Sequence, residues 1–201
     1  GRVAGAGVEL HYVEAGHGRT VLLLHGFPDF WFGWRHQIQP LAAAGYRVIV
    51  PDLRGYNESD RPRGVMAYRQ SLVVADVVSL LQRLAPDGAD VVGHDWGGVI
   101  AWRVAAEQPP LVRSLAILNA PHPDAYVRTL RRAPRQVLRA WYVAANQLPW
   151  LPELALRARH FALLTRVLRT DEAGNRMAAE HELDRYREAF ERPGALTAAV
   201  N

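Results

Sequence analysis

Apolar residues in the first 118 positions fall into two rhythms. Short uninterrupted runs (Val21 to Leu24, Val48 to Val50, Val91 to Val92, Leu115 to Leu118) read as strands buried on both faces. Val8 to Val13 alternates instead and reads as an edge strand. Between the runs the spacing turns helical. Leu72, Val73, Val77, Leu80, Leu81 and Leu84 share one broad face, with Asp76 and Arg83 off it. A second helix begins at Gly97, continues through Ile100, Val104 and Ala105, and stops at Pro109-Pro110. Strands alternating with helices over short turns predict a doubly wound α/β sheet.

After Asn119 the strand rhythm ends. Residues 124 to 192 read as helix, broken at Pro134, at Pro149 and Pro152, and near Gly174. The expected organisation is a core over 1–120, a helical lid over 121–192 inserted after a sheet strand, and the start of a return toward the core over 193–201. The chain opens at Gly1 and stops at Asn201 in mid-pattern, so a fragment lacking the last sheet strands is expected.

Composition narrows this picture little. With 49% apolar and 22% charged residues the chain is of globular type, and without cysteine it has no disulfide, thiolate metal site or thiol nucleophile. No stretch approaches the roughly 20 apolar residues of a membrane span, and the N-terminus lacks the apolar segment of a signal peptide, so a cytoplasmic, non-membrane protein is the default. All 24 basic residues are arginine and the net charge is +4. The excess lies in residues 125–201, where 13 arginines face 8 acids. No nucleic-acid-binding motif accompanies it, so it reads as a solvated helical surface and no nucleic-acid partner is expected.

Chemistry concentrates at VVGHDWGGV, residues 91–99. A small-x-nucleophile-x-small pattern between strand and helix usually presents a serine on a strained turn; here the central residue is Asp95. Asp95 could also simply cap the helix that starts at Gly97. His25-Gly26-Phe27-Pro28 favours the first reading. It follows directly on the VLLL strand, where the backbone N–H of Phe27 and that of Trp96 can converge on one oxygen. His25 itself reads as a structural histidine joining neighbouring loops.

HGFPDFWFGWRHQIQPLAAAGYRVIVPDLRGYNESDRP, GHDWGG and LNAPHP together resemble the soluble epoxide hydrolases of the α/β-hydrolase superfamily. The likeness runs nearly continuously over residues 8–123 and resumes at AWYVAANQLPWLPE and RPGALTAAVN. It implies an α/β-hydrolase fold, a small to medium hydrophobic epoxide and water as partners, and no metal or cofactor; a homodimer through the lid stays open. Asp95 would attack a saturated carbon and form an ester. Water would then cleave that ester at the carbonyl carbon of Asp95, with the Phe27 and Trp96 N–H groups holding the oxyanion. Tyr142 matches the family's first lid tyrosine, the proton donor to the epoxide oxygen, by its spacing to Gln147 and Pro149. Tyr126 and Tyr186 do not fit the motif of the second. Phe27, Trp31 and Trp96 would edge the pocket, with core packing the alternative for Phe27 and Trp31, and Trp34 reads as packing the helix that follows. Asp52 and Arg54 read as structural, and Asn57 as a left-handed turn residue standing where the family usually has glycine.

Two other readings stay open. Haloalkane dehalogenases resemble the chain at GHDWG but carry asparagine at the position of Phe27. Fluoroacetate dehalogenases resemble it at HGFP but carry arginine at the position of Trp96. A non-catalytic binding protein of the same fold is the third reading. The departure from the epoxide hydrolase pattern is the base. None of the eight histidines (11, 17, 25, 36, 94, 122, 160 and 181) occupies the expected position, and Asn119, where some relatives place the acid, cannot ionise. Alkylation of Asp95 without turnover is therefore expected of this chain.

Overall fold

A computed structural model describes residues 1–132, 151–169 and 178–201. Six strands form one sheet: β1 (Arg2–Ala4), β2 (Glu9–Ala15), β3 (Arg19–Leu24), β4 (Tyr46–Pro51), β5 (Ala89–His94) and β6 (Val112–Leu118), in the order β1-β2-β4-β3-β5-β6. The pairings within β4-β3-β5-β6 are parallel, whereas β2 runs antiparallel to both its neighbours. The expected edge strand is thus β2, but it is not the edge. The three-residue β1 covers it, a segment too short to show a period of its own.

Alternate residues of β3 serve opposite faces. Leu22 and Leu24 join Ile49, Val77, Leu80, Ile100 and Val104 under α2 (Gln70–Leu84) and α3 (Trp96–Glu107). Val21 and Leu23 join Ile38, Val48 and Val50 under α1 (Arg35–Ala43). This two-sided burial is why β3 and β4 read as unbroken apolar runs, whereas Leu115 to Leu118 of β6, expected to be buried on both faces, are half-buried or exposed. In α2 the structure corrects one expectation: Asp76 faces inward. It is 1% exposed and paired with Arg54 at 2.5 and 2.7 Å, and it accepts the Ala6 N–H at 2.7 Å. A carboxylate enters the core where a guanidinium and an amide meet it.

Register places the site. Leu24 pairs with Gly93, so the chain leaves β3 and β5 side by side at the carboxyl edge of the sheet, where open α/β sheets bind ligands.

Beyond β6 the described residues form helices: α4 (Pro123–Arg132), α5 (Leu151–Arg169), α6 (Glu180–Glu191) and α7 (Ala195–Val200). Pro152 lies in the first turn of α5, where a missing N–H is tolerated, rather than breaking a helix. Pro134, Pro149 and Gly174 lie outside the described residues. α5 kinks where Arg159, His160 and Phe161 adopt positive φ, and no residue type there accounts for it. α5, α6 and α7 bury Leu156, Phe161, Leu164, Phe190 and Leu196 together, with the Phe27 ring packed against them. No described helix is long and apolar enough to cross a membrane.

Candidate active site

The turn from β5 into α3 is built from glycines. A Cβ on Gly97 would lie 2.4 Å from the carbonyl oxygens of Leu24 and His25, and one on Gly93 would lie 2.5 Å from the Gly97 carbonyl oxygen. Strand, turn and helix therefore approach more closely than any side chain allows. Between them Asp95 adopts φ 53°, ψ −123°, a conformation costing a non-glycine residue roughly 1–3 kcal/mol. Its backbone is fixed on both sides. Its N–H donates to the Leu118 carbonyl at 3.1 Å, and its carbonyl accepts from Gly98 and Val99 at 2.9 and 3.1 Å.

The Asp95 side chain makes no capping hydrogen bond to α3, so the strained backbone serves something other than a helix cap. The carboxylate instead turns toward the loop after β3, where Oδ1 accepts the Phe27 N–H at 3.0 Å. Gly26 makes this approach feasible, since a Cβ there would sit 2.4 Å from the same oxygen. Among the described residues the Phe27 N–H is the only hydrogen-bond donor to this carboxylate; the Trp96 N–H is not bonded to it. Asp95 is half-buried, and the neighbouring Trp96 is 52% exposed.

His25 is 1% exposed. Its Nε2 accepts the Leu53 N–H at 3.0 Å, its Nδ1 lies 3.0 Å from the Gly26 carbonyl, and its ring meets Tyr56 edge-on. It ties the loop after β3 to the loop after β4, as a structural histidine should. The latter loop is organised by Asp52, fully buried, which accepts from the Trp31 N–H at 2.9 Å and Asn57 Nδ2 at 2.8 Å and sits 2.7 Å from His11 Nδ1. Asn57 adopts the left-handed φ of 41° that its residue type tolerates. Trp31 and Trp34 are half-buried and pack against the core cluster beneath α1. Tyr142 lies outside the described residues.

Two polar residues around the site, Asp29 and Tyr56, escaped the sequence reading, and a third, Tyr186, was given no role by it. Burial pushes the Asp29 carboxyl up, against the pull of His25, the Phe30 N–H and Tyr186. Burial, with the Asp95 and Asp29 carboxylates nearby, pushes the Tyr56 phenol up. Tyr186, on α6, is raised by burial and by Asp29, so both phenols keep their protons throughout the neutral range. Asp29 belongs to HGFPD and Tyr56 to LRGYNES, so their proximity in sequence to motif residues was the available signal; their burial was not. No group of three or more His, Asp or Glu among the described residues could hold a metal ion.

A family model described as the alpha/beta hydrolase fold matches residues 19–169. The chain is 42% identical to the AB hydrolase superfamily protein YfhM of Bacillus subtilis, over 97% of its own length and 68% of the relative's. It is 36% identical to Epoxide hydrolase 4 of Mus musculus, covering all of this chain but 57% of that protein. Among solved structures, a mutant epoxide hydrolase from Bacillus megaterium superposes on the whole chain with a TM-score of 0.90 at 29% identity, the match spanning 71% of that chain.

Proposed function

The chain belongs to the α/β-hydrolase fold family, and from that premise we propose that it is the nucleophile-bearing part of an epoxide hydrolase, with Asp95 the nucleophile. One observation carries the reading: a strained aspartate at the strand–helix turn whose carboxylate meets the Phe27 N–H at 3.0 Å instead of capping its helix. The names of the relatives support the substrate class.

The proposed chemistry proceeds in two steps. Asp95 attacks an epoxide carbon; a C–O bond forms as the ring C–O bond breaks, and the alkoxide takes a proton, for which Tyr142 is the proposed donor. Water then adds to the ester carbonyl, and the tetrahedral oxyanion forms beside the Phe27 N–H that already holds Oδ1. The Trp96 N–H, at the start of α3, is the proposed second donor. Phe27, Trp31 and Trp96 are the proposed apolar rim, and residues 121–192 the proposed lid. Cleavage of this ester needs a base that activates the water, and without one the ester persists.

Incubation with styrene oxide followed by intact-mass measurement tests this. A stable gain of one epoxide mass, absent in Asp95→Asn, is expected. A folded chain that gains no mass, or an Asp95→Asn variant that gains it equally, overturns the reading.

A further inference from the structure

The amide that meets Asp95 and the carbonyl of Gly26 belong to one peptide group. At one edge of that group the Phe27 N–H donates to Asp95 Oδ1 at 3.0 Å. At the other edge the Gly26 oxygen has two partners. The Asp29 N–H donates to it at 3.0 Å, and His25 Nδ1 lies 3.0 Å from it.

The partners of His25 fix the place of its ring proton. Nε2 faces the Leu53 N–H at 3.0 Å, a group that can only donate, so Nε2 accepts and carries no hydrogen. Nδ1 therefore bears the proton and donates it to the Gly26 carbonyl, which can only accept. The Tyr56 ring, edge-on at 4.8 Å, holds the plane of the imidazole, which is buried away from competing solvent. A carbonyl oxygen gripped by two donors cannot swing without losing one of them. It also makes the N–H of its own peptide a stronger donor.

We infer that His25 is a positioning residue: its Nδ1–H fixes the plane of the Gly26–Phe27 peptide and so aims the Phe27 N–H at Asp95 Oδ1. Joining the two loops needs only the Leu53 bond at Nε2. The bond at Nδ1 adds nothing to that join, because Gly26 is the next residue in the chain. It acts on the orientation of one peptide. In the proposed tetrahedral step the same N–H faces the oxyanion, and a peptide already held in place has no reorganisation to undergo. The inference rests on the proposed role of Asp95 for its catalytic meaning but not for its test.

Two substitutions separate the ring nitrogens. His25→Asn keeps an amide N–H near the site of Nδ1, facing the Gly26 carbonyl, and is too short to reach Leu53. His25→Gln carries its amide oxygen out to the site of Nε2, facing the Leu53 N–H, and offers no donor at Nδ1. Amide hydrogen exchange of the full chain without substrate, resolved residue by residue by NMR, compares Phe27 with Leu53. The Phe27-to-Leu53 ratio of exchange rates is expected to rise about tenfold over wild type in His25→Gln and to fall about tenfold in His25→Asn, the scale of one lost hydrogen bond. A ratio within twofold of wild type in His25→Gln overturns the inference, whether both amides stay protected or a loss of global stability speeds both. So does a ratio that moves in the same direction in both variants. Failure of styrene oxide to alkylate the wild type would instead refute the nucleophile reading and leave this role of the imidazole standing.

Discussion

A methyl group added at Gly97 would meet two carbonyl oxygens of β3 and its loop at 2.4 Å, and both belong to backbone that cannot rotate away. Gly97→Ala is therefore expected to lower stability by about 1–3 kcal/mol through overpacking, measured by urea denaturation. A change under 0.5 kcal/mol would mean that the turn is looser than it is drawn. Arg54 and Asp76 provide a second residue-scale prediction. Both are almost wholly buried and paired, so Arg54→Ala strands a carboxylate in the core and should cost about 3–5 kcal/mol in the same assay. The glycines and Asp95 were legible because a tight turn is written in consecutive residues. Asp76 was not, because its partner comes from a loop 22 residues away and helical periodicity takes any carboxylate for a surface residue.

Elements meet the same limit at their contacts. The parallel strands, α2 and α3 were readable from periodicity, whereas β1 was too short to read and the docking of α6 on the loop before α1 left no local signal. That docking has a pH signature. Hydrogen bonds from Arg35 and from the Ala179 N–H lower the pKa of Glu182 from 4.5 to about 2. The folded value lies below the unfolded one, so the stabilisation is fully present above pH 4.5 and is lost as pH falls toward 2. The melting temperature of the wild type should exceed that of Glu182→Gln above pH 5, and the gap should close by pH 2, as thermal melts across this range would show. A gap that stays constant with pH would show that this carboxylate contributes no charge-dependent stability.

For the whole molecule, β6 pairs only with β5 among the described residues, and Leu118 is 45% exposed although the strand reads as a buried run. The fold class was legible at this scale because the alternation of strand and helix spans more than half the chain. The helical layer was legible only as helix, since what it covers depends on contacts with distant loops. Peptide mapping by tandem mass spectrometry after exposure to styrene oxide tests the proposed nucleophile most directly: one hydroxyphenethyl ester on Asp95 is expected, and modification of His94 or another side chain with Asp95 left free would contradict it.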